Sequence, residues 1–362
     1  MTHPSARTLA RTRVRAIVCA VARAAGVPVA LLILAPVASD AIGGGLSAQQ
    51  VPDTLFRPAV ARPAWAEGAG PRLCLDEAHH NFHTLDNRFF AFGALARRDG
   101  FRVAPLRARF SAASLAACDL LVISNAQPND QPWAQYPDPT PSAFADDEIR
   151  ALHAWVEQGG ALLLIADHMP LAGAAKALGA AFGAEFYDGF AFQRAPEGAP
   201  IDAGRGVPTL FLRAGTAPPA TTAGGDTIPE RNGALADHPI TNGRDASERI
   251  TMVRSFTGQA FRVTAPGVRP VMSLPSDFVS LEPRYAWQFA PGTRVRDVGG
   301  WLQGATLSVG RGRLALFGEA AMFSAQRAGP TRQPMGMNAP MAEQNPRFVL
   351  NVLHWLAGLL GA

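Results

Sequence analysis

The sequence predicts an α/β protein: a mostly parallel sheet with helices on both faces, plus additional antiparallel strands in its C-terminal half. Three observations predict it. Short, nearly all-apolar runs such as "DLLVISNA" and "ALLLIADH" recur, as expected of strands covered on both faces. Amphipathic helical stretches stand between them at the spacing of βαβ units. Two long irregular segments, 125–147 and 324–346, follow strands, whereas the returns that precede strands are short.

The elements follow in order. "RLCLD" (72–76) is a short buried strand. "RFFAFGALARRDG" is a helix with Phe89, Phe92 and Leu95 on one face and Gly100 as its stop. "FRVAPL" and "DLLVISNA" are the second and third strands. "ADDEIRALHAWVEQGG" is a helix with acids in its first turn and a double glycine at its end. "ALLLIADH" is the fourth strand, and "LAGAAKALGAAFG" the helix after it. Residues 194–235 are rich in Gly, Pro and Thr and read as irregular. "RITMVRSFTGQAFRV", "RPVMSLP" and "YAWQFA" read as further strands, some antiparallel. "GRGRLALFGEAAMF" is a turn and a buried strand, and "NPRFVLNVLHWLAGLL" a closing amphipathic helix. Right-handed crossovers between parallel strands give a flavodoxin-like order, with ligands expected at the carboxyl edge of the sheet.

The first forty residues read as an export signal. Arg7, Arg11, Arg13, Arg15 and Arg23 precede or enter an apolar stretch, residues 24–38, and Ser39-Asp40-Ala41 offers small residues at a cleavage site. Pro28 and Pro36 interrupt that stretch, which is shorter than the roughly 20 residues a membrane helix needs. The expected organisation is a signal peptide over 1–41, a Pro- and Ala-rich linker over 42–70 and one domain over 71–362, cleaved between residues 38 and 50 and exported to the periplasm or the outside. If left uncleaved, the signal segment would be the only membrane contact. Cleavage after Ala41 removes five arginines and one aspartate from the 33 basic and 29 acidic residues, leaving 28 of each. With no basic stripe interleaved with aromatics, nucleic acid is excluded as a partner. Cys74 and Cys118, each in or beside a strand, are compatible with a disulfide in an oxidising compartment or with buried thiols.

"LCLDEAHHNFHT" (73–84) holds three of the eight histidines. If the sheet is parallel, its polar residues share an edge with Asn125 after the third strand, with Asp167 and His168 after the fourth, and with Glu319 after a later one. Imidazoles and carboxylates so placed suit a divalent metal or an acid–base pair. Asp76, His79 and His83 form the expected metal set, with His79 and His83 on one face if the segment takes a helical turn. Asp76, His80 and Asn125 are expected ligand contacts, His80 being the histidine most apt to point elsewhere. Asp167, His168 and Glu319 are expected catalytic groups. The plain alternative is that Asp76 and Asp167 cap turns and the histidines hold loop carbonyls. His153 and His354 read as packing residues and His238 as a turn residue. There is no GxSxG elbow, Walker loop or dinucleotide glycine loop.

"WVEQGGALLLIADHMPLAGAAKALGAAFG" resembles the nucleophile region of the class I glutamine amidotransferase-like superfamily. "DHPITNG" (237–243) resembles a segment of its trehalose-utilisation-type branch. "GRLALFGEAAMFSAQ" followed by "NPRFVLNVLHWLAGLL" resembles the closing strand and helix of exported, non-catalytic members. The resemblance covers roughly residues 71–360 and implies the same flavodoxin-like fold. It also puts Asp167 at the position of the catalytic cysteine. Gly318-Glu319-Ala320 stands where a His-x-Glu pair is expected, and "ISNAQ" lacks the glycine pair of the oxyanion hole. Glutaminase chemistry needs a thiolate activated by histidine, so it is not expected. Two functions remain from the sequence. One is an exported hydrolase-like enzyme or binder of a small, polar, sugar-like molecule. The other is a non-catalytic module that binds an envelope protein.

Overall fold

The computed structural model describes residues 50–199, 208–219 and 232–361, all within the compact unit Asp40–Ala362. The expected signal peptide and cleavage zone lie outside the described residues.

The described residues form these strands in chain order: β1 (Val51–Pro52), β2 (Arg72–Asp76), β3 (Arg102–Leu106), β4 (Leu120–Ser124), β5 (Ala161–Ile165), β6 (Ala184–Phe186), β7 (Phe190–Gln193), β8 (Thr209–Arg213), β9 (Gly233–Leu235), β10 (Met252–Ser255), β11 (Phe261–Val263), β12 (Arg269–Ser273), β13 (Phe278–Glu282), β14 (Arg294–Asp297), β15 (Leu302–Val309), β16 (Gly312–Phe317), β17 (Ala325–Ala328) and β18 (Gln333–Gly336). The helices are α1 (Phe90–Arg98), α2 (Ala112–Leu115), α3 (Asp146–Glu157), α4 (Leu171–Ala174), α5 (Lys176–Ala181), α6 (Pro239–Asn242) and α7 (Asn345–Leu356).

The parallel run is β3-β2-β4-β5-β16, in which the first strand lies between the second and third, as the flavodoxin-like expectation requires. β15 then pairs antiparallel with β16, and β12, β9, β8 and β10 extend the sheet. The apolar runs are continuous because both faces are covered. Leu73, Leu75, Val122, Leu163 and Ala315 face one core with α1 and α7, where Phe92, Phe348 and Val352 lie. The alternate residues Cys74, Leu121, Ile123, Leu162, Leu164 and Leu316 face the other, with Leu152 and Val156 of α3 and Leu178 of α5.

Register positions the site. Ser124 pairs with Ile165, and Ile165 with Phe317. Asn125, Ala166 and Gly318 therefore leave the sheet in one row, and the loops they begin share one edge.

Several expectations need correction. Residues 50–70 are not a free linker: β1 pairs with β17, Phe56, Val60 and Trp65 lie against the core, and Ala64 N–H donates to Asp99 Oδ1 at 3.0 Å. The anchors are isolated apolar residues without periodicity, so no local pattern announces them. "TLFLR" inside the supposedly irregular 194–235 segment is β8, paired with β10. "YAWQFA" is not a strand. It is a turn with Trp287 at a φ of 65°, flanked by β13 and β14. The alanine-rich helix after β5 is broken into α4 and α5 at Ala175. Cys74 and Cys118 form a disulfide with a Cα separation of 5.7 Å. Among the described residues no helix is long and apolar enough to cross a membrane.

Candidate functional site

The histidine-rich stretch divides between two places. Asp76, at the end of β2, accepts hydrogen bonds from Ala78 N (3.1 Å) and Asn81 Nδ2 (3.0 Å), which turn the chain. His79 Nδ1 lies 2.9 Å from both Asp76 carboxyl oxygens, and its Nε2 lies 3.0 Å from Glu148 Oε1 of α3. Glu148 also accepts from Phe110 N at 3.0 Å and Arg109 Nη2 at 2.6 Å. The imidazole is closed in by the Phe110 and Phe144 rings, at 4.5 and 4.8 Å. With carboxylates at both ring nitrogens, both must donate, so the ring is an imidazolium. Burial opposes that charge, but Asp76 and then Glu148 outweigh it and raise the pKa of His79. Burial also pushes against the Glu148 charge, yet Arg109 and His79 bring its pKa down to about 2. This buried clamp fastens the loop after β2 to α3.

His83 goes elsewhere. Its Nδ1 lies 2.9 Å from Ser124 Oγ, and its ring stacks on Phe89 at 4.5 Å. Burial, with Arg88 adding to it, lowers its pKa well below the usual range, so the ring is neutral. His80, at a φ of 48°, is half exposed and pairs with Asp130. The metal set expected from Asp76, His79 and His83 thus does not assemble, because two successive turns aim the histidines into different networks. Among the described residues no group of three or more His, Cys, Asp or Glu side chains could hold a metal ion.

His83 meets Asn125, Asp167, His168 and Glu319 in one pocket of about 480 Å³. Asn125, at a φ of 52°, sits in the left-handed region that asparagine tolerates better than most residues. Its N–H donates to Ile165 O (3.1 Å), its carbonyl accepts from Phe82 N (2.9 Å) and its Oδ1 accepts from Asp167 N (3.0 Å). One residue therefore ties the loops after β2, β4 and β5 together.

Asp167 Oδ1 accepts from His168 N at 2.7 Å and Oδ2 from Ala320 N at 3.2 Å. Glu319 is buried, and its two oxygens accept from Ala321 N (2.6 Å) and Met322 N (2.9 Å). Burial, and then the Asp167 charge, raise the Glu319 pKa well above the carboxylate range. Two carboxyl groups in unlike surroundings thus share one site, the circumstance in which a pair of acids can divide acid and base roles. His168 Nδ1 donates to Met169 O at 2.7 Å, so in the neutral ring Nε2 is the acceptor.

The walls are aromatic. Phe82, Trp133, Phe192, Phe256 and Trp287 line the pocket, with Gln50, Gln326, Thr257 and Met335 at other points. His168 stacks on Phe190 at 4.5 Å, with the Trp287 ring edge-on at 5.2 Å. Asp76, His79 and His80 do not line the pocket, whereas Asp167, His168, Glu319, Asn125 and His83 do. Trp133, Trp287, Gln326 and Gln50 carried no sequence signal beyond lying in loops, and Glu148 read only as a first-turn acid.

No family model matches the sequence, and no curated protein is significantly similar to it. Solved structures of similar path include the N-terminal domain of mmIFT52, at 11% identity over 79% of this chain and 96% of that one, with a TM-score of 0.48. A ThuA-like protein from Bacteroides uniformis is 13% identical over 82% of this chain and 95% of its own, with a TM-score of 0.41. An exo-β-1,4-mannosidase from Opitutaceae bacterium strain TAV5 is 16% identical over 81% of this chain and 37% of its own, at 0.36. Likenesses at this level say nothing of chemistry.

Proposed function

We propose that this is an exported protein whose pocket binds a small, neutral, polyhydroxylated, sugar-like molecule, with a hydrolase-like Asp167/Glu319 acid–base pair. One observation carries the reading: two carboxyl groups, Asp167 and Glu319, share a pocket walled by tryptophan and phenylalanine. Aromatic faces cover the apolar C–H faces of a sugar ring, and carboxyl oxygens accept its hydroxyls. Asp167 serves as base, Glu319 as acid, and His168 Nε2 and Asn125 Nδ2 as orienting groups. Asp167 takes the place of the cysteine nucleophile implied by the resemblance, so glutamine is not the substrate. The Cys74–Cys118 disulfide favours an oxidising compartment, in keeping with export.

The test is calorimetry with glucose, galactose, cellobiose and trehalose, together with release of nitrophenol from the matching nitrophenyl glycosides. Binding by at least one sugar, weakened but still measurable in Asp167→Asn, is the expected result. Absence of binding by the whole panel sinks the reading. Binding without turnover leaves a binder and removes the hydrolase.

A further inference from the structure

The loops leaving a parallel sheet commonly hold anionic ligands on free backbone N–H groups. Here the corresponding donors are already occupied from within the chain. Asp167 takes the N–H groups of His168 and Ala320, and Glu319 takes those of Ala321 and Met322. The two carboxyl groups fill the places a phosphate or carboxylate ligand would need. Among the described residues that line the pocket there is no arginine or lysine. Arg88 stacks on the Phe82 ring at 3.7 Å without lining it. The Asn125 side-chain oxygen is spent on Asp167 N, which holds that carboxylate in its place.

We propose that Asp167 is a specificity-determining residue: it makes the pocket take the uncharged, hydroxyl-donating form of a sugar-like ligand and reject the phosphorylated or carboxylated form. This rests on the sugar-like reading above. A ligand hydroxyl donates into the lone pairs that Asp167 has left, so the neutral form gains a charge-assisted hydrogen bond. A phosphate at the same place faces a like charge, finds its N–H donors spent and loses its water without replacement. Two like charges about 5 Å apart, at the effective dielectric of about 20 suited to such sites, weaken binding on the order of 100-fold.

The experiment is calorimetry on the exported chain at physiological salt, with glucose and galactose, their 6-phosphates, and inorganic phosphate alone. The neutral sugar is expected to bind about 100-fold more tightly than its phosphate, and inorganic phosphate not to saturate any site. Asp167→Asn should bring the sugar and its phosphate to within about tenfold of each other. A 6-phosphate that binds the wild type as well as the neutral sugar overturns the proposal. So does saturable phosphate binding that a neutral sugar displaces. These wild-type measurements need no variant, so a misfolded Asp167→Asn protein leaves the result intact. If neither sugars nor phosphate bind, the sugar-like reading fails while the exclusion of anions holds.

Discussion

Replacing His79 by phenylalanine tests the buried clamp. The substitution keeps an aromatic ring between Phe110 and Phe144 but removes both donors. Asp76 keeps Ala78 N and Asn81 Nδ2, and Glu148 keeps Arg109, Phe110 N and Ala145 N. Asp76 nonetheless loses the imidazolium it faces inside the protein, while Glu148 keeps the Arg109 guanidinium. Breaking a buried pair by removing one partner costs about 3–5 kcal/mol, and that is the expected loss at pH 6. The pH dependence gives a second reading. The His79 pKa is raised from 6.5, so the folded state holds that proton more tightly than the unfolded chain. Its contribution is complete below pH 6.5 and is lost as pH rises through the raised value. Urea titrations of wild type and His79→Phe should therefore converge from pH 6 toward pH 9. A loss under about 1 kcal/mol at pH 6, against the 3–5 expected of a broken buried pair, would refute the imidazolium assignment. So would a difference that does not change with pH.

Removing the disulfide by Cys74→Ala with Cys118→Ala reopens a loop of 44 residues. Chain entropy for that length gives a loss of about 4 kcal/mol, to be read by denaturant unfolding under oxidising conditions. Asp167→Asn removes the charge that helps hold the Glu319 proton, so the Glu319 pKa should fall toward the carboxylate range; carboxyl-carbon NMR reads it, and an unchanged value would show that burial acts alone. Asp188 is partly buried and accepts from Thr140 Oγ1 (2.6 Å) and Gly173 N (3.0 Å), and its removal from water raises its pKa to about 6. Its neutral form is the one the fold favours, so its contribution is complete below pH 3.8 and lost as pH rises through about 6. Asp188→Asn should gain on the wild type in melting temperature between pH 4 and pH 8, and a constant difference would sink this assignment.

Local pattern alone determined most of the scaffold. The apolar runs at 72–76, 120–124 and 161–165 are strands because their alternate residues face two cores, and helices α1 and α3 stop just before Gly100 and Gly159. The convergence of Asp167, His168 and Glu319 was also legible, since parallel strands with matched register bring their carboxyl ends to one edge. Which histidine joined them was not. His79 and His83 are equivalent in spacing and composition, and only the packed structure sends one to Glu148 and the other to Ser124. Pairing with Glu148 depends on where α3 crosses the loop, 69 residues away in sequence. The aromatic walls were equally hidden: Trp133 and Trp287 lie in segments without periodicity, and each gains meaning only when its loop folds back over the sheet edge. Periodicity reports what a residue does within its own element. Charge pairing, proton placement and pocket shape arise between elements far apart in the chain, so the tertiary structure decided them.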